Sequence, residues 1–265
     1  MIARIDSDFI SYAVGAACEN KYYIYKGEEW ESKVALNKQL RADGVEEMEI
    51  ETLTRPETWE SCRASVISYT EDIISKVDCY YQLYISGHGN FRYDIATIFP
   101  YKGNRSKSDR PFHYDNIRQY LVDAYGAKVS ENMEADDIIG LEHDPETDII
   151  VTKDKDLNCI EGLHFNWETN RCFWMNEIDS YRNFYQQVLT GDTVDNIPGL
   201  YGVGNKSKLM DNLKAIDNEP EMFDLVAKQY QVRFGSYWVQ FMLENCRLLW
   251  ILQRREPAWR SRLEV

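Results

Sequence analysis

The sequence predicts an α/β protein with a central, mostly parallel sheet and a helical region toward its end. Two observations carry this prediction: short apolar strands alternate with segments of helical periodicity, and the pattern is helical throughout after Ser180. We therefore predict a core over residues 1–180, with an unassigned insertion at 18–60, and a helical region over 181–265 that packs on it. With 265 residues, 44% of them hydrophobic, the chain is long enough to bury such a core.

Each predicted element has its own signal. Strands are short apolar runs, helices repeat apolar residues every three or four positions, and turns contain Gly or Asn. The first strand starts at Ile2 and carries Asp6 near its end. The later elements are a hairpin near 22–27, a helix at 57–76, a strand at 80–86, a basic loop at 101–110, a helix at 113–125, a strand at 148–152 and a hairpin at 164–174.

Composition excludes several classes of protein. The net charge of −14 argues against a surface that binds polyanions throughout, although not against local contact with nucleic acid. No apolar run approaches the roughly 18 residues of a membrane-spanning helix. The 6 cysteines form no CxxC pair and the 4 histidines are scattered, so we predict reduced thiols and no zinc site. The first residues read as a strand rather than a secretion signal, and we expect a cytoplasmic protein.

Acidic residues stand where strands end and helices begin. They occur in four groups, which are Asp6, then Glu134 with Asp136 and Asp137, then Asp154 with Asp156, and finally Asp192 with Asp195. Because the carboxyl ends of parallel strands gather at one edge of a sheet, we expect three groups to meet there and the fourth to fold over them. Crowded carboxylates repel unless cations neutralise them, and such oxygen ligands favour Mg²⁺ or Mn²⁺. Two such ions about 3.5–4 Å apart can hydrolyse phosphodiesters.

A glycine-rich turn precedes a helix at 198–208. Gly202 and Gly204 allow backbone N–H groups to approach a phosphate, and Lys206 and Lys208 add positive charge. This arrangement is typical of contact with a nucleic-acid backbone rather than of base recognition.

The loop at 101–110 is the densest basic stretch of this acidic chain. We predict that Lys102 and Arg105 bind a reacting phosphate and stabilise its developing charge. Tyr101 is predicted to stack on a terminal base, and Arg92 to contact DNA as well.

In this order, the motifs resemble those of the 5′-nuclease superfamily, which comprises flap endonucleases, phage 5′–3′ exonucleases and the 5′-nuclease domain of bacterial DNA polymerase I. The segments that carry the resemblance are 5–8, 101–105, 134–137, 152–156 and 191–208. The resemblance implies a PIN-like, three-layer α/β fold. It also implies a helix–three-turn–helix module at about 188–215, which in the family binds duplex DNA with a K⁺ ion.

The resemblance also implies roles for the acidic groups. The first metal ion would be held by Asp6, Glu134, Asp136 and Asp137, and the second, directly or through water, by Asp154, Asp156, Asp192 and Asp195. Two Mg²⁺ ions, replaceable by Mn²⁺, would serve a 5′–3′ exonuclease or flap endonuclease that leaves 5′-phosphates. Its partner would be DNA with 5′ ends, flaps or single-strand/duplex junctions, in phage-type replication, primer removal or DNA degradation. We expect a monomer, in the host cytoplasm if the source is viral.

The sequence departs from the family in two places. Where the family usually has an aspartate after the second strand, this chain has Ser86, and we consider Asp8 or Asp94 as compensating residues. The segment 101–134 is short, as in phage exonucleases. The sequence therefore does not distinguish exonuclease activity from flap endonuclease activity. Three alternatives stay open: action on RNA in RNA:DNA hybrids, a DNA-binding accessory that has lost catalysis, and a PIN-type ribonuclease.

Overall fold

The computed structural model describes residues 1–45, 50–104, 110–254 and 259. Two compact units divide the chain: the first comprises Met1–Asp8, Lys76–Asp109 and Val122–Val265, and the second comprises Phe9–Ser75 and Arg110–Leu121. The boundary predicted at residue 180 lies inside the first unit and stays a prediction. Among the described residues, none of the helices has both the length and the hydrophobicity needed to cross a bilayer.

Strands and helices alternate along much of the described chain. The strands are β1 (Ile2–Asp6), β2 (Glu19–Tyr25), β3 (Glu28–Trp30), β4 (Thr52–Pro56), β5 (Tyr80–Ile85), β6 (Lys128–Val129), β7 (Asp148–Val151), β8 (Gly162–Asn166), β9 (Arg171–Met175), β10 (Gly191–Asp192) and β11 (Ile197–Pro198). The α-helices are α1 (Asp8–Ala17), α2 (Lys33–Ala42), α3 (Trp59–Ser75), α4 (Arg92–Ile95), α5 (Tyr114–Tyr125), α6 (Ala135–Glu142), α7 (Glu177–Thr190), α8 (Lys208–Lys214), α9 (Glu219–Phe234) and α10 (Trp238–Leu249).

The main sheet of the first unit has the strand order β6-β5-β1-β7-β8-β9. Its pairs are parallel except for β8 with β9, which confirms the predicted α/β class with a mostly parallel sheet. Strand β7 is buried along its whole length, as expected for a continuous apolar run inside a parallel sheet. Since β1 lies between β5 and β7, the residues that follow these three strands are neighbours at one edge.

The helices of the first unit share one apolar core with this sheet. Phe184 of α7, Tyr230 of α9 and Met242 of α10 belong to the same buried cluster as Ile139 and Ile150. Between α7 and α8 the chain makes turns at 193–196, 201–202 and 205–206, which agrees with a helix, three turns and a helix.

The pair β10–β11 within these turns depends on two glycines that approach each other closely. A Cβ added at Gly199 would lie 2.1 Å from the carbonyl carbon of Thr190, and one at Gly191 would lie 2.2 Å from the nitrogen of Gly199. No larger residue fits either place without moving the backbone, so the course of this segment depends on glycine.

The second unit contains the insertion at 18–60. An antiparallel sheet in the order β3-β2-β4 packs with α2 around Tyr23, Tyr25, Leu36 and Leu40. The predicted hairpin is confirmed as β2–β3, and its turn places Lys26 and Gly27 at positive φ. The structure thus shows how the insertion folds, and its role stays unassigned.

Candidate active site

The carboxylate of Asp6 lies at the edge of the main sheet where β1 ends. Its Oδ2 accepts a hydrogen bond from Thr152 Oγ1 at 3.1 Å, and its Oδ1 accepts one from the Asp8 backbone N–H at 3.2 Å. The residue is only 7% exposed. Burial, followed by the charge of Asp8, raises the pKa of Asp6 to about 7. Negative charge is therefore costly here unless a cation offsets it.

The start of α6 brings a second group of carboxylates to the same edge. Glu134 caps this helix, and its backbone N–H donates to Asp137 Oδ2 at 3.0 Å. Burial, and then the charges of Asp6 and Asp154, raise the pKa of the half-buried Asp136 well above its usual range. The structure thus brings the carboxylates of Asp6, Asp136 and Asp154 within electrostatic reach of one another.

The remaining acidic residues form an adjoining group. Burial, and then the charges of Asp154 and Asp192, raise the pKa of Asp156 to about 7. Gln187 of α7 donates to Asp156 Oδ1 at 2.7 Å, so this carboxylate is positioned by the helical region. Asp192 Oδ1 accepts from the Val194 N–H at 2.8 Å, which holds the turn after β10.

The donor chemistry at this edge suits hard divalent cations. Its candidate ligands are carboxylate oxygens, and burial or mutual repulsion raises the pKa of several of them. Among the described residues, no three His, Cys, Asp or Glu side chains stand close enough together to hold a metal ion. The charges of these carboxylates therefore act on one another, although the described side chains do not form a closed set of metal ligands.

The carboxylate of Asp137 is enclosed by donors from the protein and is not accessible to solvent. It is fully buried and forms a two-pronged ion pair with Arg92, at 2.6 and 2.9 Å. Its Oδ1 also accepts from the Leu252 N–H at 3.1 Å. Because protein donors already surround both oxygens, these contacts fit an architectural role and not the metal-holding role that the resemblance implies for Asp137.

Arg92 corrects a second expectation. The residue is 3% exposed, and besides Asp137 it donates to the carbonyl oxygens of Leu248 and Trp250, both at 2.8 Å. The predicted DNA contact at Arg92 is therefore wrong, because its guanidinium joins α4, α6 and the end of α10 inside the protein. Sequence reasoning missed this pair because its members are 45 positions apart.

Tyr101 and Lys102 connect the two carboxylate groups. The Tyr101 hydroxyl donates to Asp195 Oδ2 at 2.7 Å and lies 3.2 Å from Glu134 Oε2. Lys102 Nζ pairs with Glu134 and lies 3.7 Å from Asp195 Oδ2. Lys102 is therefore placed between carboxylates of the two groups.

The predicted stacking of Tyr101 on a base is not supported, because the residue is only 4% exposed. Tyr93, whose ring centroid lies 5.7 Å from that of Tyr101, is 57% exposed and offers the accessible ring of the pair. Arg105, the other predicted phosphate contact, lies outside the described residues.

The glycine turn stands on the surface of the helical region. Gly202 has a φ of 81°, and Lys206 and Lys208 are exposed. The structure adds two residues that sequence reasoning missed. Tyr201 is 87% exposed, and the guanidinium of Arg233 lies 5.6 Å from the centroid of its ring. No local pattern marks Arg233, because only the packing of α9 brings it to the turn.

Comparisons with known proteins give the following similarities. No family model matches the chain. Over 170 residues, 53% of this chain, it is 28% identical to a DNA polymerase I of Chloroflexus aurantiacus. The match spans 18% of that relative, so the chain corresponds to less than a fifth of its length. A bacterial DNA polymerase I is among the proteins that the sequence motifs resemble, and this similarity agrees with that resemblance.

Two solved structures of bacteriophage T5 proteins are also similar to this chain. One, co-crystallised with metal ions, has a TM-score of 0.42 and 15% identity, and the alignment covers 94% of this chain and 99% of that one. The other is a flap endonuclease complex with DNA and metal ions, at a TM-score of 0.37 and 16% identity, covering 72% and 90% of the two chains.

Proposed function

We propose that this protein is a metal-dependent 5′ nuclease that hydrolyses phosphodiesters near the 5′ ends of duplex or flap DNA and leaves 5′-phosphates. One observation carries the proposal: carboxylates from β1, α6, the segment after β7 and the turns after α7 converge at one edge of the parallel sheet. Burial, and then the charges of neighbouring carboxylates, raise the pKa of Asp6, Asp136 and Asp156. Such a site gains most from binding cations, and the similarity to a DNA polymerase I supports a nucleic-acid substrate.

The residues divide into two candidate ligand groups. Asp6, Glu134 and Asp136 would hold one Mg²⁺ ion, and Asp154, Asp156, Asp192 and Asp195 would hold the other. Bound there, the two ions would activate water and stabilise charge on the reacting phosphate and its leaving oxygen. Asp137 stays outside both groups, because Arg92 and two backbone N–H groups occupy its oxygens.

Lys102 would bind the reacting phosphate. Its ammonium group pairs with Glu134 and lies 3.7 Å from Asp195 Oδ2. With cations bound to these carboxylates, the Lys102 ammonium group would be available to donate to a phosphate oxygen and stabilise its developing negative charge. Arg105 remains a sequence-based candidate for the same task.

Duplex DNA would lie along the glycine turn. Exposed Lys206 and Arg233 flank this turn and would contact phosphates without reading bases. Changing either residue to Gln should reduce the slope of log affinity against log salt concentration by about 1. Lys228→Gln, also exposed on α9, is the matched control. An unchanged slope in both variants would place the DNA elsewhere.

The proposal is tested with a 5′-labelled flap, a blunt duplex and an RNA:DNA hybrid, each incubated with and without Mg²⁺. We expect metal-dependent cleavage that the double variant Asp154→Ala/Asp156→Ala abolishes. Product length separates exonuclease from flap activity, and the hybrid tests the RNA-directed alternative. Binding without cleavage in both Mg²⁺ and Mn²⁺ would refute the nuclease and favour a DNA-binding accessory.

A further inference from the structure

Ser86 directly follows β5 at the site edge, in the place where the resembled family usually carries an aspartate. In this chain a carboxylate reaches that place from another element. The backbone N–H of Ser86 donates to Asp8 Oδ1 at 2.8 Å, and the Ser86 hydroxyl donates to Asp8 Oδ2. Both oxygens of Asp8, the first residue of α1, are thus anchored at the carboxyl end of β5.

The same serine connects Asp8 to the helix that carries Asp136. Ser86 Oγ accepts a hydrogen bond from the Ala135 backbone N–H at 2.9 Å, in the first turn of α6. On its other side, the Asp8 backbone N–H donates to Asp6 Oδ1 at 3.2 Å. Asp8 therefore lies between the end of β1 and the start of α6, the two elements that supply Asp6 and Asp136.

We propose that Asp8, anchored by Ser86, is a positioning residue of the divalent-metal centre and supplies the negative charge that a residue at position 86 does not. This inference rests on the proposed function. Its physical basis is that a site for divalent cations depends on the local sum of negative charge and on the groups that orient its ligands. Ser86 contributes the donors that hold Asp8, and Asp8 contributes the charge.

This edge accommodates a carboxylate at position 8 or at position 86 but not at both, so the arrangement can be tested by exchanging the two residues. An aspartate at position 86 beside Asp8 would bring two like charges into contact, whose repulsion disfavours ionisation of one of them. A serine at position 8 with Ser86 retained would leave the edge with one carboxylate fewer. Moving the carboxylate to position 86 and the hydroxyl to position 8 keeps both the charge and a hydrogen-bond donor.

The experiment measures Mn²⁺ binding to the full chain by calorimetry, without DNA, so the readout is independent of turnover. Asp8→Asn should weaken Mn²⁺ affinity about 10–100-fold, the usual loss when a group that orients metal ligands is removed. The exchange variant Asp8→Ser/Ser86→Asp should bind Mn²⁺ more tightly than Asp8→Ser alone, by about tenfold or 1.4 kcal/mol. Asp224→Asn, which removes an exposed carboxylate from α9, is the charge-matched control and should bind like the unchanged protein.

Thermal unfolding of each variant in EDTA distinguishes this role from a merely structural one. If Asp8→Asn lowers the unfolding temperature in EDTA but keeps its Mn²⁺ affinity, the inference is wrong and Asp8 serves the fold alone. An exchange variant that binds no better than Asp8→Ser would also overturn it. If the unchanged protein neither binds Mn²⁺ nor cleaves DNA, the proposed function fails first and this inference with it.

Discussion

The pair Arg92–Asp137 offers the sharpest test of the site assignment, because sequence reasoning and the structure give its members different roles. Asp137 is fully buried, and Arg92 makes hydrogen bonds to both of its oxygens and to two backbone carbonyls. Asp137→Asn keeps the size of the side chain and removes its charge. The Arg92 guanidinium then stays buried without its ion-pair partner.

The expected loss of stability follows from that unpaired charge. Removing one partner of a buried ion pair costs about 3–5 kcal/mol of the free energy of unfolding. Little of this loss comes from a cavity, since Asn fills the same volume. For a chain of this size, about 2–4 °C in unfolding temperature corresponds to each kcal/mol, so a decrease of about 6–20 °C is expected.

The assay has two parts. Urea unfolding in EDTA is monitored by circular dichroism, and the folded variant is then titrated with Mn²⁺ in the absence of EDTA. Asp224→Asn is the control, because its carboxylate is exposed on α9. We expect Asp137→Asn to lose stability while the folded fraction still binds Mn²⁺. Unfolding within about 1 kcal/mol of the unchanged protein, together with lost Mn²⁺ binding, would refute the architectural role and restore Asp137 as a metal ligand.

Three further predictions concern the buried carboxylates, Lys102 and the glycines between α7 and α8. The pKa of Asp6 and of Asp156 is raised from 3.8 to about 7 in the folded protein. Folding therefore favours the protonated form of both carboxyl groups. Their contribution to the free energy of unfolding in EDTA falls as pH rises between about 4 and 7. Thermal unfolding in EDTA from pH 5 to 8 measures this decrease, and Mg²⁺ should stabilise the protein more at pH 8 than at pH 5; an equal Mg²⁺ effect at both would contradict the assignment. Lys102→Met should lower the rate of DNA cleavage about 10²–10³-fold and leave DNA affinity in Ca²⁺ nearly unchanged. A loss of affinity as large as the loss of rate would argue against a role of Lys102 at the reacting phosphate. Gly199→Ala should lower the unfolding temperature, because its added Cβ meets backbone 2.1 Å away, whereas Gly204→Ala, with no atom within 4 Å, should not, and equal effects would refute the close-packing argument.

The main sheet could be predicted from the sequence, and with it the edge at which most acidic groups are expected. Strands β1, β5 and β7 are apolar runs, and an acidic residue that ends or follows such a run falls at the carboxyl edge of a parallel sheet. The glycine turn could be predicted for the same reason, since the backbone conformation at Gly202 is a local property of the chain.

The pairing of polar groups with one another could not be predicted from the sequence, because it depends on how the chain packs. Arg92 meets Asp137 across 45 positions, and Asp8 meets Ser86 across 78. Tyr101 turns inward to Asp195 across 94 positions, although its sequence context favours exposure. Periodicity and spacing act over a few residues, whereas these contacts depend on how packed helices and strands bring distant segments together. The sequence therefore indicated the chemistry of the site, and the packing determined which residues perform it and which only support it.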